Sequence, residues 1–250
     1  MTTQKVQPNK DQAVITQLKA MGFSDEYVET PRRLICALEG LEFVGKTHFS
    51  LTAPEPIIFN DVDLGTEGVI NKFQEQGKQI LYHRIRVPKS ADKDIYETLW
   101  NEFKNRIYKA YTLKRGTVVW DTESEINELA RLAKFGKLTQ VMPHHYQQVN
   151  RELRDIIDYA YDAPINTIFI RKLKSKWVDN VRTREYEASG WADMDYKCQV
   201  TLRLFKEETD EGSQFCAQIK KCRQNPDVAG EILRGPMCNF EFLLGLVHDK

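Results

Sequence analysis

No apolar run in the 250 residues approaches the roughly 18 needed to cross a bilayer as a helix, which excludes a helical membrane span. The polar stretch from Met1 to Lys10 lacks the apolar segment of a secretory signal, so the chain is expected to stay in the compartment where it is made, the cytoplasm by default. None of its cysteines (Cys36, Cys198, Cys216, Cys222, Cys238) forms a C-x-x-C pair, so neither a zinc knuckle nor a redox motif is indicated, and they read as reduced, mostly buried thiols. Net charge is missing too. The 36 basic residues balance 36 acidic ones, which argues against attachment to nucleic acid by bulk electrostatics and leaves only a local patch to meet a polyanion. Neither an internal repeat nor a low-complexity tract occurs.

What is present is a globular α/β pattern, with 41% hydrophobic and 29% charged residues. Residues 1–32 read as a polar N-terminal arm with a short helix carrying Val14, Leu18 and Met21 at helical spacing before Gly22. From Arg33 onward strands alternate with helices. Leu34–Leu38, Pro56–Phe59, Ile80–Val87, Thr117–Trp120 and Asn166–Ile170 are the expected strands. Ile95, Leu99, Phe103 and Ile107 mark one helix, and Val149, Leu153, Ile156, Ile157 and Ala160 mark another. This alternation predicts a mostly parallel sheet flanked by helices on both faces, with ligands at the carboxyl ends of the strands. Arg182–Ala188, Cys198–Lys206 and Ser213–Lys220 then read as successive strands, an antiparallel C-terminal extension of that sheet.

Residues 40–47, G-L-E-F-V-G-K-T, match the phosphate-loop pattern G-x-x-x-x-G-K-[ST] without a mismatch. Chance supplies such a match in roughly one chain of this length in a hundred, and the flanking strand and helix make it rarer. Gly40 and Gly45 permit the backbone conformations that turn successive N–H groups toward a phosphate. Lys46 would reach the β and γ phosphates of ATP, and Thr47 would ligate Mg²⁺. Glu42, Val44 and His48 complete the segment expected to touch the nucleotide. The bulk of Phe43 and Val44 is consistent with a packed loop. A partner acid for Mg²⁺ is expected at the end of a neighbouring strand, and Asp121 closes Thr117–Trp120 in that way. For the base that polarises the attacking water, the acidic strand end F-N-D-V-D-L-G-T-E-G offers Asp63 first and Glu67 second.

These residues resemble the RecA-like recombinases, whose phosphate loop has Glu at its third position, as Glu42 stands here, and whose next strand ends in an acid-x-acid pattern like Asp61-Val62-Asp63. Length and the polar arm look most like the compact RecA-core proteins of bacteriophages, described as nucleotide-binding or single-strand annealing proteins. The resemblance covers roughly residues 33–206. It implies a single RecA-like P-loop ATPase domain over 33–250, with Lys46 and Thr47 on phosphate and Mg²⁺, Asp121 as the second acid and Asp63 as the base. It also implies hydrolysis stimulated by single-stranded DNA, a homo-oligomeric filament or ring, a role in phage recombination or annealing in the host cytoplasm, and admits a single-strand DNA-binding protein as a partner. The chain departs from the family where a polar γ-phosphate sensor often stands. Here the strand runs into Arg171 and Lys172, and Arg171 serves only if it points inward.

The residues themselves offer a place for DNA. Residues 171–184, R-K-L-K-S-K-W-V-D-N-V-R-T-R, read as a loop in which Arg171, Lys172, Lys174, Lys176, Arg182 and Arg184 surround Trp177. Cations for phosphates beside an aromatic face for a base is the composition that single-strand binding requires. Lys134 and Lys137, in the segment running to His144, His145 and Tyr146, form a second candidate. A solvated basic loop with a packed Trp177 is the plain alternative. Two other functions share the phosphate loop and stay open at this point: a nucleotide or nucleoside kinase, with Arg182 and Arg184 as lid residues, and a nucleotide-gated module that does not hydrolyse. The short chain, without a separate helical lid after the core, fits a hexameric helicase, AAA+ remodeller or packaging motor less well.

Overall fold

The structure, a computed structural model, describes residues 10–26, 32–66, 68–137, 145–210 and 212–248. Residues 1–31 and 32–250 are separate compact units. In the first, α1 (Lys10–Ala20) carries Val14, Leu18 and, just past its end, Met21, all exposed.

The second unit is built on one sheet. Its elements run β1 (Ile35–Gly40), α2 (Lys46–Leu51), β2 (Ile57–Asp61), α3 (Val69–Glu75), β3 (Ile80–Arg84), α4 (Lys93–Ala110), β4 (Thr117–Asp121), α5 (Glu123–Phe135), α6 (Tyr146–Asp162), β5 (Asn166–Val178), β6 (Val181–Ala188), α7 (Met194–Lys197), β7 (Val200–Thr209), β8 (Gly212–Cys222), β9 (Ile232–Arg234) and α8 (Phe240–His248). The strand order is β3-β2-β4-β5-β1-β7-β8-β9, with β6 paired to β5. Pairings from β3 through β7 are parallel; β8 and β9 are antiparallel additions. The α/β class, the mostly parallel sheet and its antiparallel C-terminal extension are therefore as the alternation predicts.

Both sheet faces are buried, so the central strands are continuous apolar runs rather than alternating ones. Ile35, Ala37, Val118, Trp120 and Phe169 pack under α4, α5 and α6, whereas Cys36, Leu38, Val119, Ile168 and Ile170 pack under α2, α3 and α8. The stripe of α6 is the expected one. That of α4 is rotated: Tyr96, Trp100, Phe103, Ile107 and Ala110 are buried, while Ile95 is 48% exposed. Strict spacing of four overshoots the 3.6-residue turn and drifts around the helix, whereas the observed steps of three and four stay on one face.

Two strand expectations change. β7 is not part of the antiparallel extension: it runs parallel to β1, because residues 190–199 carry the chain back along the sheet, burying Trp191, Met194 and Cys198 under the α4–α6 face before β7 begins. The basic stretch 171–184 is not a loop either. β5 continues through it to Val178, and β6 returns along it after the two-residue turn Asp179-Asn180, both with positive φ (51° and 61°). Two left-handed residues give the turn a twist that matches the flanking strands.

Candidate functional site

The parallel register brings four strand ends to one edge. Asp61 lies beside Asp121, Asp121 beside Ile170, and Gly40 beside Lys172. β5 thus separates the strand that ends in Gly40 from the strand that ends in Asp121, and the gap above it is closed by side chains.

Gly40 and Gly45 are each required, for different reasons. A Cβ at Gly40 would stand 2.7 Å from the Leu204 carbonyl oxygen and from Val44, which is half-buried behind the loop. Gly45 has φ +88° as the residue before α2, and a Cβ there would meet the Phe215 ring at 2.9 Å. Phe43 does not pack: it is 85% exposed, with φ 58°. Gly45→Ala is expected to cost roughly 1–2 kcal/mol in chemical denaturation, from strain and ring displacement, and to weaken nucleotide binding measured by calorimetry.

Lys46 lies across its own loop, donating to the carbonyls of Gly40 at 2.9 Å and Leu41 at 2.5 Å. Burial pulls its ammonium below the ordinary lysine value, a tendency opposed by Asp121, Asp63 and the exposed Glu42 and reinforced by Lys172. Thr47 donates its hydroxyl to Asp121 Oδ2 at 2.8 Å, joining two residues 74 positions apart. Asp121 is almost wholly buried, and burial raises its carboxyl to about 6; Asp61 and Asp63 push further upward, whereas the Thr47 hydrogen bond and Lys46 oppose the rise. His48 packs edge-on against Phe73, 4.9 Å between ring centroids.

The acids at the end of β2 divide their work. Asp61 is fully buried and accepts from Leu64 N (2.8 Å), Thr66 Oγ1 (2.7 Å) and Tyr82 OH (2.6 Å), so it shapes the following turn. Asp63 faces the site: its N–H points to Asp121 O at 3.4 Å, and its carboxylate takes a 2.6 Å bond from Lys172. Glu67 lies outside the described residues.

Lys172, expected to contact DNA, stands instead at this edge with its ammonium committed to Asp63 and Glu125, and Glu125 is the site residue that sequence reasoning missed. Lys172 Nζ bridges Asp63 and Glu125, the second at 2.8 Å; burial lowers its ammonium, but the two carboxylates more than offset this and leave it raised. Glu125 stands in the first turn of α5, where Thr122 Oγ1 caps its N–H. Arg171 is not an inward sensor and not a DNA contact. It is 2% exposed on the opposite face, donating to Ser189 O, Trp191 O and Asp195 Oδ1, with Glu123 Oε2 at 3.6 Å. Strand alternation puts neighbours on opposite faces, so Lys172 and Arg171 could not share a role.

Glu123 lies beneath this edge, fully buried. Burial raises its carboxyl to about 7 against the pull of Arg171 and the Trp191 N–H. It fits because Gly190 has no side chain: a Cβ there would sit 2.0 Å from Glu123 Oε2, at φ +102°. Gly190→Ala is therefore expected to destabilise the fold by roughly 2 kcal/mol or more, read as a shift of the urea midpoint without a change in slope.

Along the β5–β6 hairpin the basic residues are partly spoken for. Lys174 pairs with Glu187 at 3.2 Å and Lys176 with Glu185 at 2.8 Å. Trp177, 63% exposed, sits opposite Arg182, and Ser175 opposite Tyr186, so one hairpin surface collects Trp177, Arg182 and Tyr186 near the exposed Arg184. Arg182 Nε donates to Ser175 Oγ at 2.8 Å. Of the second candidate segment, Lys134 is bound to Glu152 at 2.5 Å on the helix surface and is not free for DNA, because Glu152 also holds Lys104 and the Trp100 indole. Lys137 lines a cleft with Arg131 and Tyr146. His144 lies outside the described residues.

A phosphate loop tied through Thr47 to an acid two strands away calls for comparison with known families. The family described as AAA domain (AAA_24) matches residues 32–226. The chain belongs to this AAA domain family. No curated protein matches it. Among solved structures, a KaiC-like protein from the hyperthermophilic archaeon Pyrococcus horikoshii OT3 is similar at 14% identity over 80% of this chain and 84% of that one, with a TM-score of 0.45. As an AAA-type P-loop ATPase domain, the chain follows its core with β8, β9 and α8; among the described residues no separate helical lid occurs. Likewise, none of their helices is long and apolar enough to cross a membrane.

The donor set suits a hard cation. Thr47 and Asp121 supply two oxygens, and the mutual repulsion of Asp61, Asp63 and Asp121 favours positive charge between them. Two protein oxygens are within the number that Mg²⁺ takes, its shell being completed by phosphates and water.

Proposed function

We propose that this AAA domain protein is a RecA-type ATPase that hydrolyses ATP with Mg²⁺ and does so in response to single-stranded DNA. The observation that carries the nucleotide reading is the 2.8 Å contact between Thr47 and Asp121 across β5. Backbone N–H groups of Gly40–Thr47 and the positive end of α2 would cradle the β-phosphate, and Lys46 would leave the Gly40 and Leu41 carbonyls for the β and γ oxygens. Mg²⁺, held through Thr47 and Asp121, would neutralise charge on those oxygens. Asp63 would take the proton of a water that attacks the γ-phosphorus in line. The bond from that phosphorus to the bridging oxygen breaks, and ADP and phosphate leave.

DNA binding is proposed for the hairpin rather than for a loop. Trp177 and Tyr186 give stacking faces and Arg182 a cation on one β5–β6 surface, with the exposed Arg184 between Arg182 and Tyr186 in sequence, the pairing that tolerates any base sequence. Lys174 and Lys176 contribute less, because Glu187 and Glu185 already neutralise them. Trp177→Ala is expected to weaken binding of a fluorescent oligo-dT about 5- to 100-fold by anisotropy, while hydrolysis without DNA stays at the wild-type rate. Equal affinity in the variant and the wild type would remove the hairpin from DNA recognition. The phage setting, the filament or ring and a single-strand DNA-binding protein partner belong to the same reading, supported by the Glu42 and Asp61-Val62-Asp63 resemblance.

A further inference from the structure

Lys172 engages two acids at this strand edge at once, Asp63 and Glu125. Its ammonium lies 2.6 Å from Asp63 Oδ1 and 2.8 Å from Glu125 Oε1, and both carboxylates are roughly two-fifths exposed. With the ammonium held 2.6 Å from Oδ1, a proton arriving on Asp63 would be placed beside a fixed cation, so the bridge opposes the use of Asp63 as a base while it stands. Half-exposed ion pairs of this kind are weak enough to be displaced by a modest competing interaction.

The bridge is also fastened to the hairpin by both of its strands. Lys172 is itself a residue of β5, two positions before Lys174. At the other strand, Ser189, immediately after β6, donates its N–H to Lys172 O at 2.8 Å. Ser124, between Glu123 and Glu125, receives the Lys172 N–H at 3.2 Å and donates its hydroxyl to Ser189 O at 3.1 Å. A shift in the relative position of β5 and β6 therefore moves the Lys172 backbone against the helix turn that carries Glu125.

We propose that Lys172 is an autoinhibitory latch: it holds Asp63 and Glu125 out of use, and a polyanion seated on the β5–β6 hairpin opens it. The latch rests on the ATPase reading above and adds to it a device that keeps hydrolysis slow until DNA is bound. Opening needs no new residue, only release of the Lys172 ammonium from two half-exposed carboxylates into solvent.

The test compares full-length wild type with Lys172→Met, which keeps the aliphatic stem and removes the charge, and with Lys172→Arg, which keeps the charge. Steady-state ATP hydrolysis with Mg²⁺ is measured alone, with oligo-dT and with heparin, with Lys46→Ala as the background. Lys172→Met is expected to hydrolyse ATP about tenfold faster than wild type without DNA and to lose most of the stimulation, whereas Lys172→Arg retains stimulation. A basal rate for Lys172→Met at or below that of wild type, with hydrolysis in the wild type well above the Lys46→Ala background, overturns the latch and leaves the ATPase reading standing. No hydrolysis above background in any protein overturns both. Stimulation by heparin as well as oligo-dT assigns the trigger to polyanions in general, and stimulation by oligo-dT alone assigns it to DNA; absence of both in the wild type overturns the latch. Should Lys172→Met fail to fold by circular dichroism, Glu125→Gln, which removes one of the two exposed partners, is expected to raise the basal rate by a smaller factor, and no rise overturns the proposal.

Discussion

Lys46→Ala is expected to fold as the wild type does and to lose ATP turnover by roughly a hundredfold or more. The ammonium is partly buried, its hydrogen bonds end on the carbonyls of its own loop, and burial already lowers its affinity for a proton. Its removal therefore leaves no distant element unsupported. What disappears is the cation that would meet charge developing on the γ-phosphate, where a low-dielectric pocket makes each such contact count most. Circular dichroism with a steady-state phosphate-release assay separates the two effects. Turnover equal to wild type in a folded variant would take the loop out of catalysis.

Asp121→Asn is expected to abolish Mg²⁺-dependent turnover, again by roughly a hundredfold or more, while making the protein more stable. The sign follows from the direction of the shift. Burial raises the folded-state carboxyl to about 6, above its ordinary 3.8, so the folded protein binds the proton more tightly than the unfolded chain does. The neutral acid's contribution is complete below the unfolded value and is lost as the pH rises through about 6, so at neutral pH the ionised group costs on the order of 2–3 kcal/mol. Asparagine removes that charge and keeps an oxygen for the Thr47 hydroxyl. Thermal unfolding at pH 7.5 without Mg²⁺ should show a higher midpoint in the variant, and the two midpoints should converge near pH 4. A lower midpoint at pH 7.5 would contradict the burial argument. Loss of activity with gain of stability is the trade expected where acids are crowded for function rather than for folding.

The parts of this site that can be read from residues alone are those whose chemistry is tied to a local pattern. Gly40, Gly45, Lys46 and Thr47 follow from one contiguous motif, and Asp121 follows from a strand that ends in an acid. Lys172 and Glu125 have no such pattern. Lys172 became a site residue because β5 lies beside β1 in register, a non-local fact, and because alternation assigns Arg171 to the other face. With both faces of β5 apolar up to Ile170, periodicity does not say which of the two basic residues turns toward the loop. Gly190 is similar: only its contact with Glu123, 67 positions earlier, explains it.

The hairpin shows a different limit. The stretch K-L-K-S-K-W-V has the alternation of a strand, but its charge density made it read as a loop, and Asp179-Asn180 lacks the glycine that usually announces a two-residue turn. β7 departs from the antiparallel pairing that consecutive strands most often show, because residues 190–199 bring the chain back to the start of the sheet. In α4 the elements were right and the phase was not, since an apolar residue every four positions sits on the surface as readily as in the core.

The most direct test of the central claim is the rate of ATP hydrolysis by the wild-type protein with Mg²⁺, measured alone, with single-stranded DNA and with double-stranded DNA. A low rate alone that rises several-fold with single strands, and much less with duplex, is the predicted result. A rate no higher than that of Lys46→Ala under all three conditions would contradict it.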